Sequence, residues 1–383
     1  MKATNKPHVY NAIALAVGVL GFSSGAMAKD VVVKIGHVAP LSGPQAHYGK
    51  DNESGARLAI DDLNAMKIQL EGGTAKFELV PEDDAADPKL GAIVAQKLCD
   101  AKVNGVVGHL NSGTTVPASK IYYDCGIPEI TPASTTPKVT KQGFDSVFRV
   151  IAHDGVLATA MAKFATKDLK AKKFVVIDDR TGYGQPVADI FAKEVQANGG
   201  QVLDRHYTND KATDFSAILT AVKSKNPDVI FYGGMDSQAG PMLRQMKQLG
   251  IKAKLLGGDG ICTSELMRLG GDNVGANVLC AEGGMALSKM PGGPAFEKRF
   301  KERFKADIQV YAPFVYDATM TMGMAMKEAK SADPKKYLPK LKTINHKGVI
   351  GTITFDEFGD VKNAAVTVNT YNDKGKTPVA VIQ

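Results

Sequence analysis

The chain has 383 residues, of which 44% are hydrophobic, 23% charged and 7% aromatic, with no Trp and a formal charge of +7. That composition excludes disorder, a collagen-like repeat and a multi-span membrane protein, and the length calls for about two domains of roughly 100–200 residues each. The basic residues are scattered among acids, with no arginine-rich arm or basic stripe interleaved with aromatics, so a solvated surface and no nucleic-acid partner are expected.

Residues 1–28 read as a secretory signal peptide. Lys2 and Lys6 form a basic start, Ala12 to Phe22 is apolar and uncharged, and Ala26-Met27-Ala28 offers an A-x-A cleavage site. The apolar stretch falls short of the roughly 20 residues that span a bilayer, which argues against an anchor. A soluble mature chain outside the cytoplasm is therefore expected, and the periplasm is its expected location. In an exported chain, Cys99, Cys125, Cys262 and Cys280 can form disulfides. Cys262–Cys280 is the preferred pair and Cys99–Cys125 the second, because each closes a short span. Four buried free thiols are the alternative. No C-x-x-C is present, so a zinc site or a thioredoxin-like motif has no support.

From Val31 onward, strand-like runs alternate with helical patterns. Val31–Val38 reads as a strand and Lys50–Met66 as a helix, with Ala56, Ala59, Ile60 and Leu63 at helical spacing. Phe77–Val80 is a strand, and Pro88–Cys99 a helix with Asp87 as its cap. Gly105–Gly108, the helix Val116–Asp124 and Glu129–Thr131 follow. The same grammar restarts with the helix Ala158–Leu169, the strand Phe174–Ile177 and the helix Val187–Asn198. It continues through Val202–His206, Phe215–Ser224, Val229–Tyr232, Gly240–Leu249 and Lys254–Gly257. This alternation predicts an α/β fold of two doubly wound parallel-sheet domains, with a ligand crevice at the carboxyl ends of the strands. The tail breaks the alternation. Ala295–Phe304 and Pro313–Lys327 read as helices, then Val349–Phe355, Val361–Asn369 and Thr377–Ile382 as strands, so the tail is expected to return and complete sheets begun earlier.

Several local motifs carry little. Gly21-Phe22-Ser23-Ser24-Gly25 matches G-x-S-x-G but lies in the leader, without the strand-to-helix context of a nucleophile elbow. There is no P-loop or dinucleotide fingerprint, and no histidine pair suits a metalloprotease, so no cofactor and no metal are expected. Glu82-Asp83-Asp84 and Asp87 read as a turn and helix cap rather than a cation site. Met320, Met322, Met324 and Met326 alternate within a helix and read as gap-filling core.

The informative constellation lies at the strand ends, which run into small, polar, Gly-rich loops. Gly108-His109-Leu110-Asn111-Ser112-Gly113 and Thr131-Pro132-Ala133-Ser134-Thr135-Thr136 offer hydroxyls and free N–H groups at helix starts, which suit a carboxylate. Thr181-Gly182-Tyr183-Gly184, Tyr232-Gly233-Gly234-Met235 and Gly257-Gly258-Asp259-Gly260 add aromatic and apolar walls and an acid for an ammonium. No nucleophile–base pair stands out, so the inventory fits binding of a zwitterion better than catalysis.

With these motifs go Pro40-Leu41-Ser42-Gly43-Pro44, Tyr48-Gly49, Asp83-Asp84-Ala85-Ala86-Asp87-Pro88, Pro117-Ala118-Ser119 and Asp214-Phe215. Taken in order, they resemble the type I periplasmic solute-binding proteins of ABC transporters, specifically the leucine/isoleucine/valine group, over about residues 30–383. The resemblance implies two lobes joined by a three-segment hinge, with crossings near Val150–Asp154, Glu282–Met285 and Phe355–Gly359. Lobe 1 would span 30–151 plus 284–355, and lobe 2 would span 152–283 plus 356–383. It implies an exported, non-enzymatic and expectedly monomeric receptor. Such a receptor takes an aliphatic amino acid in the cleft and delivers it to a membrane permease. It further implies a ligand carboxylate on Ser112 and Thr135, and an ammonium on the Ala133 carbonyl, Thr135 and Asp259. Tyr48, Asn111, Ser134, Tyr183 and Met235 would line the pocket. The sequence departs from the family in three places. Asp259 is one methylene shorter than the usual Glu, Met235 stands where an aromatic is common, and Ala86 and Asn111 occupy the positions of the relatives' disulfide. A receptor for an amide, urea or aromatic acid is the alternative of the same class. An exported hydrolase using Ser112 and His109 is the alternative of another class, with no carboxylate placed in sequence to orient the histidine.

Overall fold

Short β-branched runs with both faces covered make parallel strands, and here they build two sheets. The computed structural model describes residues 1–6 and 30–382; the apolar stretch and cleavage site of the expected leader lie outside the described residues. The first part of the chain gives β1 (Asp30–Ala39), α1 (Ala46–Ala65), β2 (Gln69–Leu70), β3 (Gly73–Asp83) and α2 (Pro88–Asp100). It continues with β4 (Gly105–Gly108), α3 (Ser112–Cys125), β5 (Glu129–Thr131) and β6 (Val147–Arg149). Then come α4 (Asp154–Lys163), β7 (Lys173–Asp178), α5 (Gly184–Ala197), β8 (Gln201–Tyr207), α6 (Ser216–Lys225) and β9 (Val229–Gly233). After them follow α7 (Asp236–Gln248), β10 (Lys254–Gly257), α8 (Glu265–Gly270) and β11 (Val278–Gly283). The tail supplies α9 (Gly293–Phe304), α10 (Ala312–Ala329), α11 (Pro334–Lys342), β12 (His346–Lys347), β13 (Thr352–Ile353), β14 (Val366–Asn372) and β15 (Gly375–Ile382).

The first sheet runs β2-β3-β1-β4-β5-β6, parallel except at β2. The second runs β15-β14-β11-β10-β9-β7-β8, parallel from β8 to β11 and antiparallel at β14 and β15. The tail does return. Helices α9 to α11 cover the first sheet through α1 and β4, and β14 and β15 extend the second. Each sheet is sandwiched by buried aliphatics such as Val33, Ile35, Val107 and Ile130, or Val175, Ile177, Ile230 and Leu255. Each such side chain contributes about 1.5–3 kcal/mol on burial. In the second lobe the Phe191 and Phe231 rings stack with centroids 3.9 Å apart. The methionine run lies in α10, where Met320, Met322 and Met326 are buried.

Local chemistry sets the boundaries. Asp87 caps α2 by accepting from the Lys89 and Leu90 N–H groups, and Gly126 ends α3 in the left-handed region at φ 70°. The expected strand Val349–Phe355 shrinks to β13. The buried Asp317 carboxylate takes the Val349 and Ile350 N–H groups at 2.9 and 2.7 Å, which bends the chain into a turn. The strand expected from Val361 starts at Val366, because the Val361 and Lys362 N–H groups bond the Arg149 and Thr354 carbonyls. The strands β2, β6, β11 and β12 and the helices α8 and α11 lie outside the sequence expectation. They take their form from neighbours rather than from a strong pattern of their own.

The chain passes between the sheets after β6, after β11 and before β14. The fully buried Arg149 fastens the last crossing to the first lobe. Its guanidinium bonds Asp360 at 2.8 and 2.6 Å, the Ser134 and Thr136 carbonyls, and the Thr140 hydroxyl. Disulfides join Cys99 to Cys125 and Cys262 to Cys280, with Cα separations of 6.1 and 5.3 Å. The first ties α2 to α3, and the second ties the turn after β10 to β11.

Candidate functional site

The carboxyl ends of β4 and β5 face those of β7, β9 and β10 across a narrow cavity. The first lobe contributes Leu110, Asn111, Ser112, Ala133 and Thr135. The second contributes Tyr183, Met235, Asp259 and Gly260, and Tyr311 enters from the start of α10. Tyr48 and Ser134 stand behind this wall. A larger, open hollow of about 580 Å³ beside the last crossing is edged by the exposed Lys141, Asp145, Lys342 and Glu357. Its charges are of both signs and already in water, whereas the cleft holds the unpartnered buried oxygens of Asn111 and Asp259.

On the first-lobe side, Ser112 is the first residue of α3, where N–H groups lack intrahelical partners and the helix dipole favours an anion. Its hydroxyl lies 3.3 Å from that of Ser134 and accepts from the Thr136 N–H at 3.3 Å. Thr135 is 1% exposed, and its carbonyl accepts the Asp154 N–H at 2.8 Å. The Asn111 amide donates to Gln45 at 2.8 Å, while its buried Oδ1 has no partner among the described residues.

On the second-lobe side, Asp259 opens a single 3-10 turn after β10. The Tyr311 hydroxyl donates to its Oδ2 at 3.0 Å, and its Oδ1 is without a partner among the described residues. Burial pushes Asp259 up to about 6. Tyr183 accepts the Gly260 N–H at 3.1 Å, and Tyr48 donates to the Gly260 carbonyl at 2.8 Å, so one peptide segment is gripped from both lobes. Burial raises the Tyr48, Tyr183 and Tyr311 phenols well above their ordinary range, which keeps them donors at neutral pH. A Cβ on Gly260 would come within 2.5 Å of the Gly234 carbonyl, 2.8 Å of the Tyr183 ring and 2.9 Å of the Met235 sulfur. Only glycine allows these three groups to meet there.

The rim is closed by two further contacts. His47 Nε2 lies 2.8 Å from Asp236 Oδ2, which also accepts the Thr263 hydroxyl at 2.5 Å. Gly113 and Gly182 meet backbone to backbone: a Cβ on Gly182 would lie 2.8 Å from the Gly113 Cα. Tyr311 is placed by Asp51, whose buried carboxylate accepts from the N–H groups of Gln309, Val310, Tyr311 and Ala312 at 2.9–3.3 Å.

Three wall residues, Leu110, Gly260 and Tyr311, were not singled out as contacts from sequence. Gly260 belongs to a motif already noted, but nothing local signals that Tyr311 reaches the cleft. Asp154, seen in sequence only as the end of a crossing, is fully buried, and both its carboxylate oxygens lack partners among the described residues. Burial, reinforced by the Asp259 charge, pushes it up to about 8.

Chemically, the arrangement can hold an anion at the start of α3 and a cation beside Asp259. It does not assemble a charge-relay triad. His109 is oriented by Asp84, with Nδ1 2.9 Å from Oδ2, a carboxylate that sequence spacing did not reveal. Its other nitrogen is taken by the Tyr122 hydroxyl at 3.0 Å, and Ser112 bonds Ser134 and Thr136 instead. Among the described residues no group of three His, Cys, Asp or Glu could hold a metal, and no helix is long and apolar enough to cross a membrane.

Comparison with known proteins agrees with this architecture. A relative named Leu/Ile/Val-binding protein homolog 1, from Brucella abortus, is 34% identical over 363 residues, covering 92% of this chain and 93% of its own. The crystal structure of a leucine-binding protein, LivK, from Thermotoga maritima superposes with a TM-score of 0.85 at 31% identity, covering 92% of this chain and 99% of its own. The Streptococcus pneumoniae branched-chain amino acid transporter substrate-binding protein LivJ, in complex with isoleucine, gives a TM-score of 0.83 at 27% identity, covering 92% and 99%. The sequence profile described as periplasmic binding protein matches residues 32–376, and the chain belongs to that family.

Proposed function

We propose that this protein is a periplasmic receptor that closes on an aliphatic α-amino acid, a branched-chain one foremost, and presents it to an ABC transporter permease. It acts without chemical turnover and needs no cofactor. The observation that carries this reading is the division of the cavity. Hydroxyls and a helix start lie on one lobe, a buried carboxylate with one oxygen unpartnered among the described residues lies on the other, and nothing between them is poised for bond-breaking. Ser112 and Thr135 take the ligand carboxylate; the Ala133 carbonyl, Thr135 and Asp259 take its ammonium; Leu110 and Met235 meet its side chain. Charge-assisted bonds in a dried site are strong, and a micromolar dissociation constant needs only about −8.2 kcal/mol. The lobes, divided at the three crossings, rotate about them, and ligand contacts made only in the closed form shift the equilibrium.

The relatives' names support the ligand class, and the likeness spans nearly the whole chain. Calorimetric titration of mature protein, stripped of ligand by unfolding and refolding, tests the reading. Leucine, isoleucine or valine should bind tightly, and Asp259→Ala should abolish that binding. Silence toward every α-amino acid, with heat from urea, an amide or benzoate, would overturn the ligand assignment and leave the fold intact.

A further inference from the structure

The buried carboxylates of this chain divide into two kinds. Asp51 accepts four backbone N–H groups, Asp317 accepts two, Asp84 holds His109, and Asp360 holds Arg149. These are structural. Asp154 has the same burial, but no backbone N–H and no cation bonds its carboxylate among the described residues, and only the Thr135 side chain and the more distant Arg149 charge favour its ionised form. Glu129 also lacks partners, but it sits within β5 inside the first sheet, where no ligand reaches. Asp154 stands at the cleft, on the first turn of α4. Its backbone is tied to Thr135, and its charge acts on Asp259, Tyr183 and Tyr311, all of them on the cavity wall.

An unpaired acid buried in a site costs free energy unless something brought into the site compensates it. We propose that Asp154 is a second acidic partner of the ligand ammonium, forming with Asp259 a two-carboxylate clamp, and that it gives up its proton to solvent as the ligand enters. The inference rests on the amino-acid reading above. Before binding, one clamp acid holds a proton because both carboxylates are buried in the ligand-free protein and two buried neighbouring acids cannot both ionise cheaply. The ammonium supplies the missing positive charge, the Asp154 O–H ionises, the proton leaves to water, and the charge of the filled site balances. The groups around Asp154 are consistent with this. From β6, Arg149 faces it, with its own charge already matched by Asp360. From the 3-10 turn comes Asp259, from α5 Tyr183, and from α10 Tyr311. His153 is its neighbour, and that ring accepts the Gly155 N–H. Glu282 of β11 is occupied by Lys376 and Asn369. The raised position of Asp154, near 8, and the bond from its N–H to the carbonyl of Thr135 on the cavity wall point the same way.

The test is calorimetry with L-leucine at pH 7 in phosphate and in Tris, which differ in protonation heat. Wild type should release a substantial fraction of one proton per ligand, and its affinity should rise with pH from about 6 to about 8. Asp154→Asn should lose that release and bind roughly ten- to a hundredfold more weakly, the scale of a charged hydrogen bond. Its ligand-free melting temperature should not fall. Equal heats in both buffers for wild type, or an Asp154→Asn protein with unchanged affinity and proton release, would overturn the clamp. The wild-type buffer comparison needs no variant, so a failure of Asp154→Asn to fold leaves it decisive. If wild type binds no amino acid at all, the functional reading fails, and the clamp with it; leucine binding without proton release sinks the clamp alone.

Discussion

At the scale of single residues, the cleft depends on groups that are absent as much as on groups that are present. Gly113 and Gly182 bring the two lobes into backbone contact at the rim, and any side chain on Gly182 would strike the Gly113 Cα. The conflict exists only when the lobes are shut. Gly182→Val should therefore leave the melting temperature of ligand-free protein unchanged and weaken ligand binding by roughly five- to a hundredfold, the range set by an overpacking cost of about 1–3 kcal/mol. Titration calorimetry beside a thermal melt separates the two effects; a destabilised protein with unaltered affinity would show that the contact is not specific to closure. The residues that sequence could propose here were those in Gly-rich strand ends, Ser112, Thr135, Tyr183 and Asp259. They could be proposed because a polar loop after a buried strand has few structural duties. Asp154 and Tyr311 gave no such sign. An acid at a helix start looks like a cap, and a tyrosine before a helix looks like core; only the folded neighbours show otherwise.

Among elements, α10 connects packing to function most directly. It is buried on nearly all sides against α1 and the first sheet, and its start is fixed by Asp51 reaching from α1 to four successive N–H groups. Asp51→Ala would leave buried donors unpaired, so stability should fall by about 2–4 kcal/mol in denaturant unfolding, and Tyr311 should lose its hold on Asp259. Amide exchange at residues 309–312 should accelerate in the variant; protection equal to wild type would refute the role of Asp51 in fixing the start of α10. The helix itself was readable from its apolar composition, as were most strands of the two sheets, but β2, β6 and β11 were not, although β11 joins β10 to β14. The hairpin of β12 and β13 was not, because Asp317 draws the neighbouring N–H groups out of strand geometry. Patterning reports what a segment buries, not which distant side chain claims its backbone.

Over the whole molecule, the covalent cross-links and the moving parts are kept apart. Cys99–Cys125 lies within the first sheet's helices, Cys262–Cys280 lies within the second lobe, and neither spans a crossing. Replacing either pair by serines should lower stability by about 2–4 kcal/mol while leaving ligand affinity unchanged, since the loop entropy lost on cross-linking belongs to the unfolded chain. Denaturation and titration of the same variant check this; a changed affinity would mean that the bridge also shapes the cleft.

The order of the strands has a further consequence, for the way the chain folds. Strand β1 is the first strand among the described residues, yet it lies in the interior of its sheet, between β3 and β4. Its sheet is covered only when α9 to α11 arrive, some 260 residues later, and the other sheet gains its last two strands from residues 366–382. Neither lobe can finish from a contiguous piece of chain. Such non-local pairing makes folding slow and all but postpones it until the polypeptide is complete. On the periplasmic reading proposed above, that delay serves export, because the first lobe cannot lock while its closing helices are still behind it.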